Sequence, residues 1–181
     1  KTIALNEAEA KHCAQVLRMR IGDTCRLANG RGVMAEASIT SVSKKAVDLR
    51  IDSITETERA FSCNLHIAIC PTKSIDRTEW FVEKAVEIGV SKISFLLGKR
   101  SERKQLKMER IERIAVSAMK QSRQSWIPEL VELTPITTFV SEADLEENRY
   151  VCHLEEGNMV NAKTLPFQES ALVLIGPEGD F

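Results

Sequence analysis

The chain has 181 residues, 43% of them hydrophobic and 28% charged, a composition that excludes disordered, collagen-like and low-complexity proteins. This length suits one medium domain, or one small and one average domain. No apolar run in the sequence approaches the roughly 20 residues of a membrane span, and the first residues lack the apolar region of a signal peptide. We therefore expect a soluble, cytoplasmic protein. Because the sequence begins with Lys1 and stops at Phe181 inside a motif-like run, we expect both ends to be incomplete.

Neither the cysteines nor the histidines follow a metal-binding pattern. The five cysteines contain no Cys-x-x-Cys pair and are odd in number, and the three histidines lie far apart in the sequence. We therefore expect neither a disulfide framework nor a metal site.

The charge is segregated along the chain, although the formal net charge is only −1. Residues 99–123 hold 9 basic and 3 acidic residues, a net charge of +6, whereas residues 124–181 hold 2 basic and 11 acidic residues, a net charge of −9. A local basic patch favours a phosphate-rich partner, because clustered cations displace condensed counterions. A solvated helix face with i,i+4 pairs, such as Glu109 with Arg113, would explain the same pattern.

The first 58 residues have the pattern of a small β-rich domain. Asn6 is a candidate N-cap for a helix over 6–19. After it, the segments 24–28, 33–42 and 46–54 alternate apolar and polar residues, and Asn29-Gly30 predicts a hairpin turn. The polar segment 55–59 breaks the alternation, so we place a domain boundary after residue 58. An antiparallel, barrel-like module with one helix is the predicted architecture.

Residues 59–181 alternate predicted strands with predicted helices, which indicates a largely parallel α/β sheet. Gly89 supplies the glycine that often ends a helix. The predicted strands cover 65–70, 93–97, 130–133, 150–154 and 171–175, and the predicted helices cover 74–88 and 106–124.

Two segments that follow predicted strands are candidate ligand sites, since ligands of open parallel sheets collect at the carboxyl ends of strands. These segments are 152–156 and 175–181, the second of which contains the Gly-Pro-Glu-Gly run at 176–179. Such a run allows close backbone approach and can read an adenine edge with N–H and C=O groups. An ordinary tight turn is the alternative. The sequence contains no phosphate-loop, dinucleotide-binding or hydrolase-elbow motif.

Five motifs occur in order along the chain: KSIDRTEWFVEKAVEIGV at 73–90, SER at 101–103, KQSRQSWIPE at 120–129, HLEE at 153–156 and LIGPEGDF at 174–181. Together with the β-rich start, they resemble the RsmE family of 16S ribosomal RNA uridine N3-methyltransferases over essentially the whole chain. The resemblance implies an N-terminal PUA-like RNA-binding barrel (1–58) and a C-terminal SPOUT α/β domain (59–181) with a trefoil knot. It also implies S-adenosylmethionine as methyl donor and a homodimer that acts on the small ribosomal subunit.

The family pattern continues past Gly-Pro-Glu-Gly with a segment that threads the knot and closes the adenosine pocket. That segment does not occur in these 181 residues. We therefore expect the second domain to be incomplete at its C-terminus.

The resemblance also assigns residues to the site. The cofactor-binding residues would be His153, Leu154, Glu155, Leu174, Ile175, Gly176, Pro177, Glu178 and Gly179. The RNA-binding residues would be Lys73, Arg77, Arg100, Arg103, Gln121 and Arg123. Glu178 is the catalytic candidate, as a group that orients the base or accepts its N3 proton; the alternative is a carboxylate that binds N–H groups of its own turn.

Two other functions fit the same residues. The first is a non-catalytic RNA-binding or ribosome-assembly protein, in which the Gly-Pro-Glu-Gly turn is structural. The second is a SPOUT methyltransferase with a different target atom. For Trp80 and Trp126, packing in the core is favoured over base stacking.

Overall fold

The computed structural model of the chain describes residues 1–43, 45–59, 63–142, 148–153 and 169–179. It divides the chain into two compact units, residues 1–58 and 59–181. Among the described residues, no helix is long and apolar enough to cross a membrane, and no three His, Cys, Asp or Glu side chains are grouped as metal ligands.

The first unit is a four-stranded antiparallel sheet with the order β1-β4-β3-β2. The three strands predicted from alternation are confirmed, and a short strand at the start of the chain adds to them. The strands are β1 (Thr2–Ala4), β2 (Thr24–Ala28), β3 (Val33–Val42) and β4 (Val47–Glu56). The alternating apolar side chains of β3 and β4 form a core with Ala10 and Cys13.

The helix predicted over 6–19 has two parts, α1 (Glu7–Lys11) and a π-helical turn, His12–Val16. Asn6 caps α1 as predicted, since its Oδ1 accepts a hydrogen bond of 2.9 Å from the Glu9 N–H. The predicted hairpin turn is also present. In it Asn29 Oδ1 accepts from the N–H of Arg31 at 2.7 Å and from the N–H of Val33 at 3.0 Å, while Gly30 takes a positive φ of 72°.

The second unit contains a five-stranded parallel sheet with the order β7-β6-β5-β9-β8. Its strands are β5 (Asn64–Ile69), β6 (Lys92–Leu97), β7 (Glu129–Pro135), β8 (Arg149–Cys152) and β9 (Ser170–Ile175). Its helices are α2 (Ile75–Glu87), α3 (Met108–Gln121) and α4 (Ile136–Glu142). These strands and the first two helices agree with the prediction, but α4 was not predicted, because its sequence is short and rich in β-branched residues.

The two faces of this sheet are covered by different helices. Residues of α2 and α3 pack on one face, around the fully buried Phe95 and Ile93. On the other face α4 contributes Ile136 and Phe139, which pack against a smaller cluster around Leu96 and Leu172. The edge of the Phe139 ring meets His66, whose Nε2 lies 2.8 Å from the buried Ser94 Oγ.

Helices α2 and α3 end in the same backbone motif. After α2, Gly89 has a φ of 85°, its N–H bonds to the Val86 carbonyl, and the Val90 N–H bonds to the Ala85 carbonyl. After α3, Arg123 occupies the position of Gly89 with a φ of 57°, and two equivalent hydrogen bonds close the turn. A glycine usually fills this left-handed position, so α3 carries an arginine under backbone strain.

The predictions for Trp80 and for the Glu109–Arg113 pair need correction, whereas the packing predicted for Trp126 is consistent with its burial. Trp80 is 63% exposed, because it lies on the outer surface of α2 while Val82, Ala85 and Val86 face the sheet. Trp126 is partly buried and lies under the Arg59 guanidinium, 4.5 Å from the ring centre. The suggested Glu109–Arg113 ion pair is replaced by a bond from Arg113 Nε to the Glu109 backbone carbonyl.

Candidate functional site

The strand order of the second sheet creates a crevice beside β5. From β5 the chain proceeds to β6 and β7 on one side, whereas β9 and β8 lie on the other side. A reversal of this kind is the usual ligand site of an open parallel sheet, at the carboxyl ends of the strands. Three loops leave this edge: the β5 loop (70–74), the β6 loop (98–107) and the β9 loop (176–179).

Three polar contacts join these loops, and we call them the loop network. Arg103 joins the β6 loop to the β5 loop, since its guanidinium donates to the carbonyls of Thr72 and Lys73. The N–H of Lys73 joins the β5 loop to the β9 loop by donating to Glu178 Oε1 at 2.8 Å. Arg100 closes the circuit, because its Nη1 donates to the Gly179 carbonyl at 2.6 Å. Each loop is therefore held by the other two.

The floor beneath the loops is closely packed. The Gly98 N–H donates to the buried Ser101 Oγ at 2.9 Å. A Cβ at Gly98 would lie 3.4 Å from Cys70 Sγ and 3.8 Å from the buried Pro177. Burial raises the pKa of the Cys70 thiol, so this cysteine is a neutral packing residue. A methyl group at Gly98 would thus be in ordinary van der Waals contact with its neighbours.

The carboxylate of Glu178 is held in its charged form. The pKa of Glu178 is lowered chiefly by its own nearby backbone N–H and by the hydrogen bond from that of Lys73, with smaller contributions from the charges of Arg77 and Lys73. A carboxylate stabilised in this way is a weak proton acceptor. The geometry therefore favours a structural role for Glu178, although the N–H that it binds belongs to Lys73 in the β5 loop and not to its own turn.

A cleft of about 450 Å³ opens next to the loop network. Lys73 Nζ forms an ion pair of 2.8 Å with Glu102 at this cleft, and Glu102 raises the pKa of Lys73. Lys104 also lines the cleft, but its side chain makes no hydrogen bond or ion pair within the described part of the chain. The side chain of the exposed Arg77 on α2 likewise makes no hydrogen bond or ion pair with the described residues. Glu102 and Lys104 were not among the predicted residues, although Glu102 belongs to the Ser-Glu-Arg motif and Lys104 directly follows it.

The predicted cofactor residues lie partly at this edge. Cys152 pairs with Ile175, so the exposed His153 follows β8 next to the β9 loop. The N–H and C=O groups of Gly176 have no hydrogen-bond partner among the described residues and are available to a ligand. Leu174 and Ile175 are half-buried in β9. This arrangement fits one side of an adenine, which needs backbone donors and acceptors and apolar contact. Leu154 and Glu155 lie outside the described residues.

The predicted RNA-binding residues divide between the two ends of the sheet. Lys73, Arg77, Arg100 and Arg103 lie at the carboxyl end. The exposed Gln121 and Arg123 lie at the far end of α3, which has 14 residues and is therefore about 21 Å long. Gln124, next to Arg123, donates to the Glu87 carbonyl at the C-terminus of α2, which places this turn near the amino ends of the strands.

Comparison with known proteins identifies the family. The model of an RNA methyltransferase domain matches residues 59–181, and that of an RNA methyltransferase PUA domain matches residues 5–52. The chain belongs to the RNA methyltransferase family. Its fold is accordingly a PUA-like domain followed by a methyltransferase domain with a parallel sheet, as predicted.

Individual RNA methyltransferases similar to this chain include one curated protein and two solved structures. Ribosomal RNA small subunit methyltransferase E of Bacillus subtilis is 30% identical over 88 residues, which cover 49% of this chain and 34% of that protein. The match thus spans about a third of the curated relative. A probable rRNA-methyltransferase from Porphyromonas gingivalis is 36% identical with a TM-score of 0.91, covering 100% of this chain and 77% of that one. A Legionella pneumophila methyltransferase in complex with the cofactor SAM is 30% identical with a TM-score of 0.88, covering 100% and 76%.

Proposed function

We propose that the protein transfers a methyl group from S-adenosylmethionine to N3 of a uridine in 16S ribosomal RNA. One observation supports this most directly. The Gly-Pro-Glu-Gly loop lies where the strand order of the parallel sheet reverses, and Lys73, Arg77 and Lys104 lie at the same edge. The loop suits a nucleoside, and the cations suit a phosphate backbone. The similarity to a ribosomal RNA small subunit methyltransferase supports the RNA target.

The residues proposed to hold the cofactor are those of the β9 loop, with Leu174, Ile175 and His153 beside it. Gly176 would bind the adenine edge through its backbone N–H and C=O groups, which have no partner among the described residues, and the half-buried Leu174 would contact the adenosine. When bound, S-adenosylmethionine supplies an electrophilic methyl group. Binding on this loop would present that group at the mouth of the crevice, where an RNA base can approach.

The protein's part in the reaction would be chiefly positioning. N3 lies in the base-paired edge of uridine, so the target base must be unpaired or flipped to reach the site. Arg77 and Lys104 would bind the flanking phosphates and hold the base in line with the methyl group. Since the Glu178 carboxylate binds the Lys73 N–H and is held in its charged form, we propose that it shapes the β9 loop and that solvent accepts the N3 proton.

We further propose that the enzyme is a cytoplasmic homodimer and that its second domain is completed by a knotted segment. An exposed Trp80 on α2 supports dimerisation, because large apolar side chains at a surface mark contact sites. In such a dimer one subunit's RNA contacts could serve the other subunit's cofactor.

Methylation of small-subunit RNA by the purified protein tests the proposal. We expect transfer of labelled methyl from S-adenosylmethionine to the RNA. Mass spectrometry of the digested nucleosides should give 3-methyluridine, and reverse transcription should stop at the modified base because N3 can no longer pair. Methyl on another atom would indicate a different target within the same enzyme class. RNA binding without cofactor binding would indicate the non-catalytic alternative.

A further inference from the structure

We infer that Arg100 and Arg103 are positioning residues of the cofactor site, which they serve by holding the loop network, and that they are not contacts to RNA phosphates. This inference rests on the proposed function, since it concerns the affinity of the β9 loop for S-adenosylmethionine. It differs from the role that the family resemblance implies for both residues.

The contacts of Arg103 carry the first part of the inference. Its Nε donates to the Thr72 carbonyl at 2.9 Å, its Nη2 donates to the Lys73 carbonyl, and the residue is half-buried. The guanidinium thus binds two successive carbonyls of the β5 loop with a fixed fork geometry. The Thr72 carbonyl belongs to the same peptide unit as the Lys73 N–H, and the Lys73 carbonyl belongs to the next unit. This N–H is the group that holds Glu178. Arg103 therefore fixes the donor on which the β9 loop depends.

Arg100 acts on the β9 loop directly. Its Nη1 donates to the Gly179 carbonyl, and its side chain packs on the same residue, since a Cβ at Gly179 would lie 3.5 Å from Arg100 Cδ. The backbone of the loop is thus held at Glu178 from one side and at Gly179 from the other. Charge-assisted hydrogen bonds of this kind are stronger than neutral ones.

The loop network holds the β9 loop before the cofactor binds. A loop held in its binding conformation needs no ordering when the ligand arrives, whereas a released loop binds only during the fraction of time it spends in that conformation. Loss of either arginine should therefore weaken cofactor binding in the absence of RNA. Arg77 and Lys104, which have no such bonds, remain available for phosphates.

Calorimetry with S-adenosylmethionine, without RNA, tests the positioning role in Arg100→Lys and Arg103→Lys. Lysine keeps the charge but cannot reproduce the fork of Arg103, and its ammonium ends one bond short of the position from which Arg100 Nη1 donates to Gly179. We therefore expect affinity about tenfold weaker in each. Arg113→Lys is the matched control, because among the described residues the Arg113 side chain bonds only to its own helix, and the affinity of this variant should stay at the wild-type value. Wild-type affinity in both lysine variants would show that the positive charge alone matters and would overturn the inference.

The salt dependence of RNA binding tests the alternative role. Arg100→Ala and Arg103→Ala should keep the wild-type slope of log K against log salt. Arg77→Ala should flatten that slope by about 0.7, the value for one single-strand phosphate contact. A loss of about 0.7 in Arg103→Ala, with unchanged cofactor affinity, would assign Arg103 to the RNA and contradict the inference.

Hydrogen exchange separates failure of this inference from failure of the proposed function. If the wild-type protein does not bind S-adenosylmethionine, the proposed cofactor is wrong. The Lys73 N–H should nevertheless exchange faster in Arg103→Lys than in wild type, because its bond to Glu178 depends on the loop network. Equal protection of this N–H in both proteins would overturn the positioning role whatever the cofactor.

Discussion

The carboxylate of Glu178 accepts a hydrogen bond from the Lys73 N–H, and this bond, together with the nearby N–H of Glu178 itself, lowers the pKa of the carboxyl group. An acidic group whose pKa is lower in the folded state than in the unfolded state stabilises the folded state at pH values above its ordinary pKa. The stabilisation is lost as the pH falls through the lowered value. The β9 loop should therefore be sensitive to acid.

Glu178→Gln should remove this sensitivity. At neutral pH the variant should bind S-adenosylmethionine more weakly than wild type, since an amide accepts N–H bonds less strongly than a carboxylate. As the pH falls below the ordinary glutamate range, the affinity of the wild-type protein should decline towards that of the variant. Calorimetric titrations over this pH range measure the S-adenosylmethionine affinity of both proteins. Glu112→Gln, on the exposed face of α3, should follow the wild type, and a wild-type curve parallel to that of Glu178→Gln would contradict the prediction.

At the scale of elements, the ends of α2 and α3 show that one motif can carry different residues. Both helices close with the same two hydrogen bonds, around Gly89 in one case and Arg123 in the other. A residue with a Cβ is strained in this conformation, by roughly 1 kcal/mol. Since glycine would relieve the strain, we expect the side chain of Arg123 to have a function at the surface.

Arg123→Gly tests this expectation. The variant should be more stable than wild type by up to about 1 kcal/mol, measured by urea unfolding, and should bind RNA with a flatter salt slope. Gly89→Ala introduces the same strain into α2 and should be destabilised by a similar amount. Unchanged RNA binding by Arg123→Gly would show that the arginine has no part in that surface.

Local patterns predicted most elements but not the loop network. Alternation in β3 and the apolar stripe of α2 repeat at short intervals, so both elements could be predicted from the sequence. The Gly-Pro-Glu-Gly run could likewise be placed after a strand. The network instead joins residues 30 to 105 positions apart, and no periodicity encodes such contacts. The exposure of Trp80 was missed for a related reason, because residue type alone does not reveal which helix face is covered.

At the scale of the whole molecule, the exposed surface of Trp80 is a candidate contact for a second copy of the chain. It is 63% exposed on α2, the helix that also carries Arg77. If a second copy of the chain covers Trp80, the dimer contact and the proposed RNA contact Arg77 lie on the same helix.

Sedimentation tests the dimer at micromolar concentration. We expect the wild-type protein to be dimeric and Trp80→Ser to dissociate, with a loss of about 2 kcal/mol, or roughly thirtyfold in Kd. Val140→Ser is the control, since Val140 is 50% exposed on α4, which packs on the other face of the sheet. A monomeric wild type, or a Trp80→Ser dimer as tight as the wild type, would contradict the prediction.

The position of β9 has a consequence for how the molecule folds. β9 pairs with β5 on one side and with β8 on the other, and its first residue, Ser170, is in register with Asn64. Both neighbours precede it in the chain, so β9 must enter a gap between strands that have already been synthesised. Contacts between residues so distant in sequence form slowly, because the long intervening chain must first be closed. During synthesis on the ribosome, the crevice beside β5 therefore stays open until β9 has emerged, and only then does the protein acquire its ligand site.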